Sequence, residues 1–287
     1  MGPVKRVSSL SIAIPSSIVA DTPHLREKTS KIGVIGRACA IFRVDKIIVF
    51  PDFSSRDQSS ESWFVSSTLA YMETPQYLRK KLFPFKPIFK YFGVLPPLRT
   101  PHHPTAAHVR DLRLGEFREG VVVNSGDKRS KIYIGVEKEA ILRGLGLPVG
   151  KRVTVKILSL KGGLPGVLLA NKEEIKTYWG YNVIVSNYPS GRTIKNEAYD
   201  LAVATSKYGT PLMEIAEEMR ERWSKARKVL VAFGSPSEGL REILERERLE
   251  LGDVFDFTVN TIPQQGTETI RTEEAVLASL AALNLMI

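Results

Sequence analysis

The stretch FDFTVNTIPQQGTETIRTEEAVLASLAAL, residues 255–283, combines three kinds of local structure. Phe255 to Val259 has the short apolar pattern of a strand, and the polar residues PQQGT at 263–267 are typical of a loop. From Thr272 to Leu283 the alanine-rich apolar pattern predicts a helix. A strand, a loop and a helix in this order form the unit that parallel α/β sheets repeat.

Two further units of this kind precede it. DLAVATS at 200–206 predicts a strand, and a helix is predicted over 211–225, with proline in its first turn. KVLVAFGS at 228–235 predicts another strand, followed by a helix over 237–248 for which Ser237 is the expected N-cap. The C-terminal half therefore contains three strand-to-helix loops, at Ala204–Thr210, Phe233–Leu240 and Thr261–Thr272.

The N-terminal region repeats the same alternation. SLSIAIPSSI at 9–18 predicts a strand and the segment from Thr22 a helix. KIIVFP at 46–51 is a short, continuously apolar run of the kind found in buried parallel strands, and a helix is predicted over 61–72. Because the alternation occurs at both ends of the chain, we expect one parallel-sheet α/β domain that is interrupted in the middle.

The middle of the chain has a different character. Residues from about Asp111 to Asn171 form short alternating runs between glycines, with hairpin turns predicted at 125–127 and at 162–163. This pattern is typical of a small β-barrel of the OB type. The predicted division is an α/β domain over 1–91 and 172–287, with the barrel inserted at 92–171.

The charge of the chain predicts a nucleic-acid partner. The formal net charge is +10, and residues 92–171 alone contain 13 Lys and Arg against 6 Asp and Glu. Such a surplus favours an acidic partner, and basic barrels of this kind bind oligonucleotides. The predicted RNA-binding cations are Arg79, Lys80 and Lys81 before the barrel and Arg110, Arg113, Lys128, Arg129, Lys131, Arg152 and Lys156 within it. Aromatic residues at 77–92 either stack on bases or pack the insertion against the rest of the protein.

Several classes of protein are excluded or disfavoured. The chain has no GxxxxGK[ST], no GxGxxG after the first strand and no GxSxG, which argues against P-loop, dinucleotide-binding and hydrolase chemistry. The single cysteine, Cys39, excludes an intrachain disulfide. The four histidines lack cysteine neighbours, so we expect no metal site. No apolar run is long enough for a membrane span, and a cytoplasmic location is expected.

The three C-terminal loops are the expected ligand site. In open α/β sheets, ligands bind at the carboxyl ends of the strands, where glycines let the main chain approach the ligand closely. The loops contain Gly209, Gly234, Gly239 and Gly266. The alternative is that they are ordinary connections, since capping alone enriches glycine, serine and threonine there.

Four segments resemble the SPOUT (SpoU–TrmD) superfamily of RNA methyltransferases. KIGVIGRACAIFRVDKIIV at 31–49, VAFGSPSEGL at 231–240 and NTIPQQGTETIRTEEAVLASLAAL at 260–283 are similar, in this order, to its three motifs. ETPQYLRKKLFPFKPIFKYFGVLPPLRTPHH at 73–103 resembles the archaeal and eukaryotic branch, which carries an inserted OB-like domain. The resemblance covers nearly the whole chain.

The resemblance implies a trefoil knot in the C-terminal half, S-adenosylmethionine as cofactor, a homodimer with its active site at the interface, and RNA as substrate, with ribosomal RNA favoured over transfer RNA. The implied cofactor-binding residues are Thr205, Ser206, Gly209, Phe233, Gly234, Ser235, Gly239, Thr261, Ile262, Pro263, Gly266, Thr267, Thr269, Ile270 and Thr272.

Three residues match positions implied in catalysis. They are Arg37 in the first motif, Glu238 in the second and Arg271 in the third. The alternatives are an ion-paired surface arginine for Arg37, a structural role at a helix N-terminus for Glu238 and a contact with RNA phosphate for Arg271. Arg271 stands where the SpoU pattern has asparagine, so a base nitrogen such as uridine N3 is an alternative to the ribose 2′-oxygen as the methylated atom. A non-enzymatic RNA-binding or ribosome-assembly factor is the alternative function, and a nucleotide-dependent oxidoreductase is a weaker one.

Overall fold

The computed structural model of the chain describes residues 3–53 and 56–286. Its contacts divide the chain into two compact units. The sheet unit comprises the described residues of 6–72, 87–97 and 181–286, and the barrel unit comprises those of 3–5, 73–86 and 98–180. Compared with the predicted boundaries at 92 and 171, residues 73–86 and 172–180 belong to the barrel unit and residues 92–97 to the sheet unit.

The N-terminal part of the sheet unit follows the predicted alternation. Strand β1 spans Ser9–Pro15, helix α1 Leu25–Ile41, strand β2 Lys46–Phe50 and helix α2 Ser59–Glu73. Six of the seven residues of β1 and four of the five of β2 are buried, as expected for strands covered on both faces.

The barrel unit begins with helix α3 (Gln76–Leu82) and continues into a closed five-stranded barrel. Its strands are β3 (Phe117–Gly126), β4 (Arg129–Tyr133), β5 (Ala140–Arg143), β6 (Arg152–Ser159) and β7 (Gly166–Leu169). Both predicted hairpins are confirmed, since β3 pairs antiparallel with β4, and β6 with β7. The order β3-β4-β5-β7-β6 closes through pairing of β3 with β6, and the core is filled by buried aliphatic side chains.

The chain returns to the sheet unit with strand β8. The remaining elements are β8 (Asn182–Val185), α4 (Ser190–Asn196), β9 (Leu201–Pro211), α5 (Ala216–Lys225), β10 (Lys228–Ala232), α6 (Leu240–Glu245), β11 (Phe257–Asn260) and α7 (Thr272–Asn284). The six strands of this unit lie in the order β11-β9-β10-β1-β2-β8, and every pair is parallel. The predicted class, a parallel α/β sheet with a separate small barrel, is confirmed.

Two local predictions are wrong. Residues 204–210 are predicted to form a loop, but β9 runs through Pro211. The reason is nonlocal, because β11 pairs with β9 at Ala204 and again at Thr210. The helix predicted from Pro211 is present as a 3-10 turn over Leu212–Ile215 that continues into α5 at Ala216. Ser237 is not the N-cap of α6, whose N-cap is Gly239.

Within the described parts of the chain, no helix is both long and apolar enough to cross a membrane.

Candidate active site

Residues 205–208 within β9 and the loops that follow β10 and β11 surround one cavity of about 470 Å³ in the sheet unit. These three strands are neighbours in the sheet, in the order β11-β9-β10, so their carboxyl ends lie side by side. The three segments predicted as loops therefore line one cavity, although the first of them lies within β9, and the cavity is at the edge where parallel sheets bind ligands.

The turn between β10 and α6 is held by Ser235. Its amide donates to the carbonyl oxygen of Glu238 over 2.8 Å, and its hydroxyl oxygen accepts from the amide of Glu238 over 3.0 Å. Gly234 lies so close to this turn that a β-carbon on it would stand 2.8 Å from the same carbonyl oxygen. The turn is therefore compact, and its small residues bring main-chain polar groups to the cavity wall.

The loop after β11 is fixed to its neighbours by three side chains. The amide nitrogen of the Asn260 side chain donates to the carbonyl oxygen of Lys207 over 2.9 Å, and its side-chain oxygen accepts from the amide of Ile262 over 3.0 Å. The hydroxyls of Thr261 and Ser279 are 2.7 Å apart, which connects the loop to α7. These hydrogen bonds hold two walls of the cavity in a defined relative position.

Eleven of the fifteen predicted cofactor-binding residues line this cavity. They are Thr205, Ser206, Phe233, Gly234, Ser235, Gly239, Thr261, Ile262, Thr269, Ile270 and Thr272. The other four, Gly209 within β9 and Pro263, Gly266 and Thr267 in the loop after β11, are not among the lining residues. Sequence reasoning missed Asn260, which does line it; the position of Asn260 at the end of a strand was the available signal. Tyr208, within the segment 204–210 predicted to contact a ligand, lines it as well.

Of the three predicted catalytic residues, Glu238 alone lines this cavity. Its carboxylate is 2.6 Å from Nη1 of Arg246, and both side chains are 29% exposed. Nη2 of Arg246 also donates to the carbonyl oxygen of Asp52 over 2.8 Å. Glu238 is thus one member of an ion pair that connects the turn before α6 to the segment after β2.

The two predicted catalytic arginines lie elsewhere in the single chain. Arg37 is half-buried on α1, and its Nη1 donates to the carbonyl oxygen of Pro97 over 3.2 Å. Arg271 is exposed and lines a second cavity of about 530 Å³. One copy of the chain therefore does not bring Arg37, Glu238 and Arg271 to a common cavity.

Among the predicted RNA-binding cations, Arg152 has protein partners. Its guanidinium is 2.6 Å from Glu73 and 2.7 Å from Glu119, two almost fully buried carboxylates of the barrel unit. Burial alone would lower the pKa of Arg152, but the charges of Glu73 and Glu119 outweigh it and hold the pKa above its usual value. Arg152 therefore stabilises the unit. Six of the other predicted cations are exposed: Lys80, Lys81, Arg110, Arg113, Lys128 and Arg129.

The aromatic residues before the barrel divide into two groups. Within the sheet unit, Phe89 and Phe92 stack with their ring centroids 4.4 Å apart, so these rings pack rather than face solvent. Phe85 of the barrel unit is 83% exposed. Of these three rings only that of Phe85 is exposed, so both predicted roles stay open for it.

The histidines of the barrel unit have a structural arrangement. The Nε2 atoms of His102 and His103 are each 2.8 Å from the carbonyl oxygen of Glu73. Among the described residues no group of three or more His, Cys, Asp or Glu could hold a metal ion.

Comparison with known proteins adds to this geometry. A family model described as "Putative RNA methyltransferase" matches residues 9–283. A mouse protein named 28S rRNA (uridine-N(3))-methyltransferase is 36% identical, with 97% of this chain and 76% of the mouse protein covered. The human protein of the same name is 35% identical over 97% of this chain and 78% of its own length. An uncharacterized protein of Haloarcula marismortui is 32% identical over 96% of this chain and 98% of its own length.

Proposed function

The chain belongs to this family of RNA methyltransferases and is a methyltransferase enzyme, and from that premise we propose that it methylates N3 of a uridine in ribosomal RNA with S-adenosylmethionine as donor. The observation that carries the proposal is the cavity at the carboxyl ends of β9, β10 and β11, together with the names of the mouse and human relatives.

The cavity fits the cofactor in size and lining. About 470 Å³ lies within the range of small-molecule sites. Its walls combine main-chain groups of small residues with the apolar side chains of Phe233, Leu240 and Ile262, which suits a ligand that has an adenine ring and polar ends. When bound, the cofactor would supply a methyl group on a sulfonium, which needs no metal for activation. We propose that the turn at 233–239 and the loop at 260–270 hold it.

The protein must also stabilise the charge that develops on the acceptor base. Uridine N3 carries a proton that has to pass to solvent water before the nitrogen can attack the methyl group, and the resulting anion spreads over two carbonyl oxygens. A permanently charged arginine stabilises such charge in the transition state. Arg37 is the proposed group for this role, Arg271 is proposed to contact the RNA beside the acceptor, and Glu238 is proposed to position the cofactor-binding turn.

We propose that a second copy of the chain completes the site. Arg37 and Arg271 do not line the cofactor cavity of their own chain, and α1 packs against α7 with apolar side chains left exposed on both helices. These are Val34 and Ile41 on α1 and Leu277 on α7, with Leu285 just after it. A homodimer through this surface would cover them. We also propose that the sheet unit is a SPOUT domain with a trefoil knot and that the barrel unit is an OB-like module which binds RNA.

The test is methylation of unmodified ribosomal RNA transcribed in vitro, followed by digestion to nucleosides and mass spectrometry. We expect 3-methyluridine, with the same amount of transfer RNA as a parallel substrate giving much less. A 2′-O-methylated nucleoside as the product would reject N3 as the target, and no methylation of any RNA would reject the proposed substrate class.

A further inference from the structure

The sheet unit contains a second cavity, of about 530 Å³, beside the first turn of α7. It is lined by the segment before α1, by one face of α1 and by Arg271 and Glu273. Ile270 and Thr272 line the cofactor cavity, whereas Arg271 and Glu273 line this one. Alternate side chains of one short segment therefore face two cavities, and the main chain of residues 270–273 runs between them.

A buried lysine forms part of its wall. Lys31 is 6% exposed, and its Nζ lies 2.8 Å and 2.9 Å from the two carboxylate oxygens of Asp21. Burial would raise the pKa of Asp21, but the hydrogen bond and the charge of Lys31 outweigh it and hold the pKa below its usual value. The ammonium group is thus held in place by a carboxylate and keeps capacity for a further acceptor.

Glu273 provides an acceptor that lacks a donor. The residue is 9% exposed, and its Oε2 has no hydrogen-bond partner among the described residues. The nearest cation, Nζ of Lys31, is 3.5 Å away, at the limit of hydrogen-bond distance. A buried carboxylate oxygen without a donor is costly, so the geometry indicates a ligand that brings an N–H or O–H group to this atom.

The charges of the cavity restrict the ligand. Asp21, Glu27 and Glu273 are opposed by Lys31 and Arg271, which leaves no positive surplus for a phosphate. No metal-binding group of acidic residues is found among the described residues. A neutral ligand that presents one donor between two acceptors matches this lining, because the donor can bind the carboxylate of Glu273 and the acceptors can bind Lys31 and Arg271.

The imide edge of uracil has this pattern, because N3–H lies between the O2 and O4 carbonyl oxygens. We propose that the cavity binds a uracil base of the substrate RNA by that edge. N3–H is donated to Oε2 of Glu273, and the two carbonyl oxygens accept from Lys31 and Arg271. Cytosine does not fit, since its N3 has no proton and its amino group would meet a cation. The inference rests on the proposed RNA substrate.

The base bound here is a recognised uridine and not the methyl acceptor. Its N3 is occupied by Glu273, and the main chain of residues 270–273 lies between it and the cofactor cavity of the same chain. The cavity therefore makes the enzyme prefer RNA that has a uridine near the methylated nucleotide. A hydrogen bond to a base edge gives this kind of sequence preference when the protein groups that make it are buried.

The test compares the affinities of full-length protein for hexauridylate and hexacytidylate by fluorescence anisotropy. We expect the wild type to prefer hexauridylate by about tenfold or more, as one or two buried hydrogen bonds allow. In Glu273→Gln the preference should fall several-fold, because the amide can donate to cytosine N3 as well as accept, and the remainder reflects the cation that still faces the cytosine amino group. Glu27→Gln is the matched control, since it removes a charge from the same cavity and should leave the preference intact.

Two further measurements keep the test decisive. Cofactor binding and the melting temperature report whether Glu273→Gln is folded, and if it is not, 4-thiouridine RNA is cross-linked to the wild type instead. Cross-links in peptides containing residues 21–31 are expected, because these residues line the second cavity and not the cofactor cavity, and cross-links only elsewhere would overturn the inference. An unchanged preference in a folded Glu273→Gln protein would also overturn it, even if ribosomal RNA is methylated. Absence of methylation with the Glu273-dependent preference intact would instead count against the proposed function alone.

Discussion

Gly209 lies against the main chain of Thr258, so that a β-carbon on the glycine would stand 2.7 Å from the threonine carbonyl oxygen. The contact lies where the pairing of β9 with β11 moves from Ala204 to Thr210. Residues 205–209 leave the ladder between these two points and provide one wall of the cofactor cavity. The absence of a side chain at position 209 therefore sets how closely that wall approaches β11.

Gly209→Ala should lower both stability and cofactor affinity. The added methyl group meets backbone atoms, which cannot turn aside as a side chain can, and such overpacking costs about 1–3 kcal/mol. We expect a lower melting temperature and at least tenfold weaker binding of S-adenosylmethionine in calorimetric titration. Gly252→Ala is the control, because nothing lies within 4 Å of the position of its β-carbon. Wild-type affinity in Gly209→Ala would show that the wall adjusts freely.

The ion pair between Glu238 and Arg246 gives a test of a positioning role. If Glu238 acts through this pair, Glu238→Gln and Arg246→Met should weaken cofactor binding by a similar few-fold factor and leave kcat nearly unchanged. The double variant should be no worse than either single one, because both changes remove the same interaction. A loss of kcat above a hundredfold in Glu238→Gln, without a similar loss in Arg246→Met, would instead support direct catalysis by Glu238.

Sequence patterns predicted the strands and loops whose signals lie within a few consecutive residues. The apolar runs of β1, β2, β10 and β11 were visible, and so were the loops after β10 and β11, because both the strand period and the turn residues are local signals. The extension of β9 through Pro211 was not visible, since it depends on pairing with β11 about fifty residues later.

The same reason explains which site residues were missed. Lys31 and Glu273 line one cavity although more than two hundred residues separate them in the sequence, and neither lies in a pattern that predicts the other. Arg152 looked like a surface cation, because nothing in the sequence shows that Glu73 and Glu119 lie beside its guanidinium. Partners brought together by the tertiary fold decide whether a charged residue is available to a ligand.

Arg152 and the exposed cations of the β3–β4 hairpin should therefore behave differently. Arg152→Ala leaves two buried carboxylates without their cation, and breaking such a pair costs about 3 kcal/mol or more. We expect a large fall in melting temperature. Lys128→Ala and Arg129→Ala should leave stability unchanged and weaken RNA binding, with a smaller dependence of affinity on salt. The measurements are thermal unfolding and RNA affinity at two salt concentrations. A stable Arg152→Ala protein that has lost RNA affinity would show instead that Arg152 binds RNA and does not stabilise the barrel unit.

The group formed by Glu73 and His103 makes the stability of the barrel unit depend on pH. Burial, reinforced by the neighbouring His102, lowers the pKa of His103 from its usual 6.5 to about 4. Burial opposes ionisation of Glu73, but its hydrogen bond with His102 and the charge of Arg152 outweigh it, and the pKa falls from 4.5 to about 2. In both cases the unfolded chain takes up a proton at a higher pH than the folded one.

Stability should therefore decrease as the solution is acidified. The contribution of His103 is lost between pH 6.5 and 4, and that of Glu73 is present above pH 4.5 and lost as the pH falls towards 2. Hydrogen exchange of the β3 and β6 amides at several pH values, corrected for the intrinsic exchange rate, measures this in the barrel unit itself. His103→Gln keeps a hydrogen-bond donor but cannot titrate, so the decline between pH 6.5 and 4 should become shallower. His24→Gln, at an exposed position of the sheet unit, should leave it unchanged. If the protection of these amides were constant over that interval in the wild type, the folded barrel would accept the proton on His103, and its burial would not restrict ionisation.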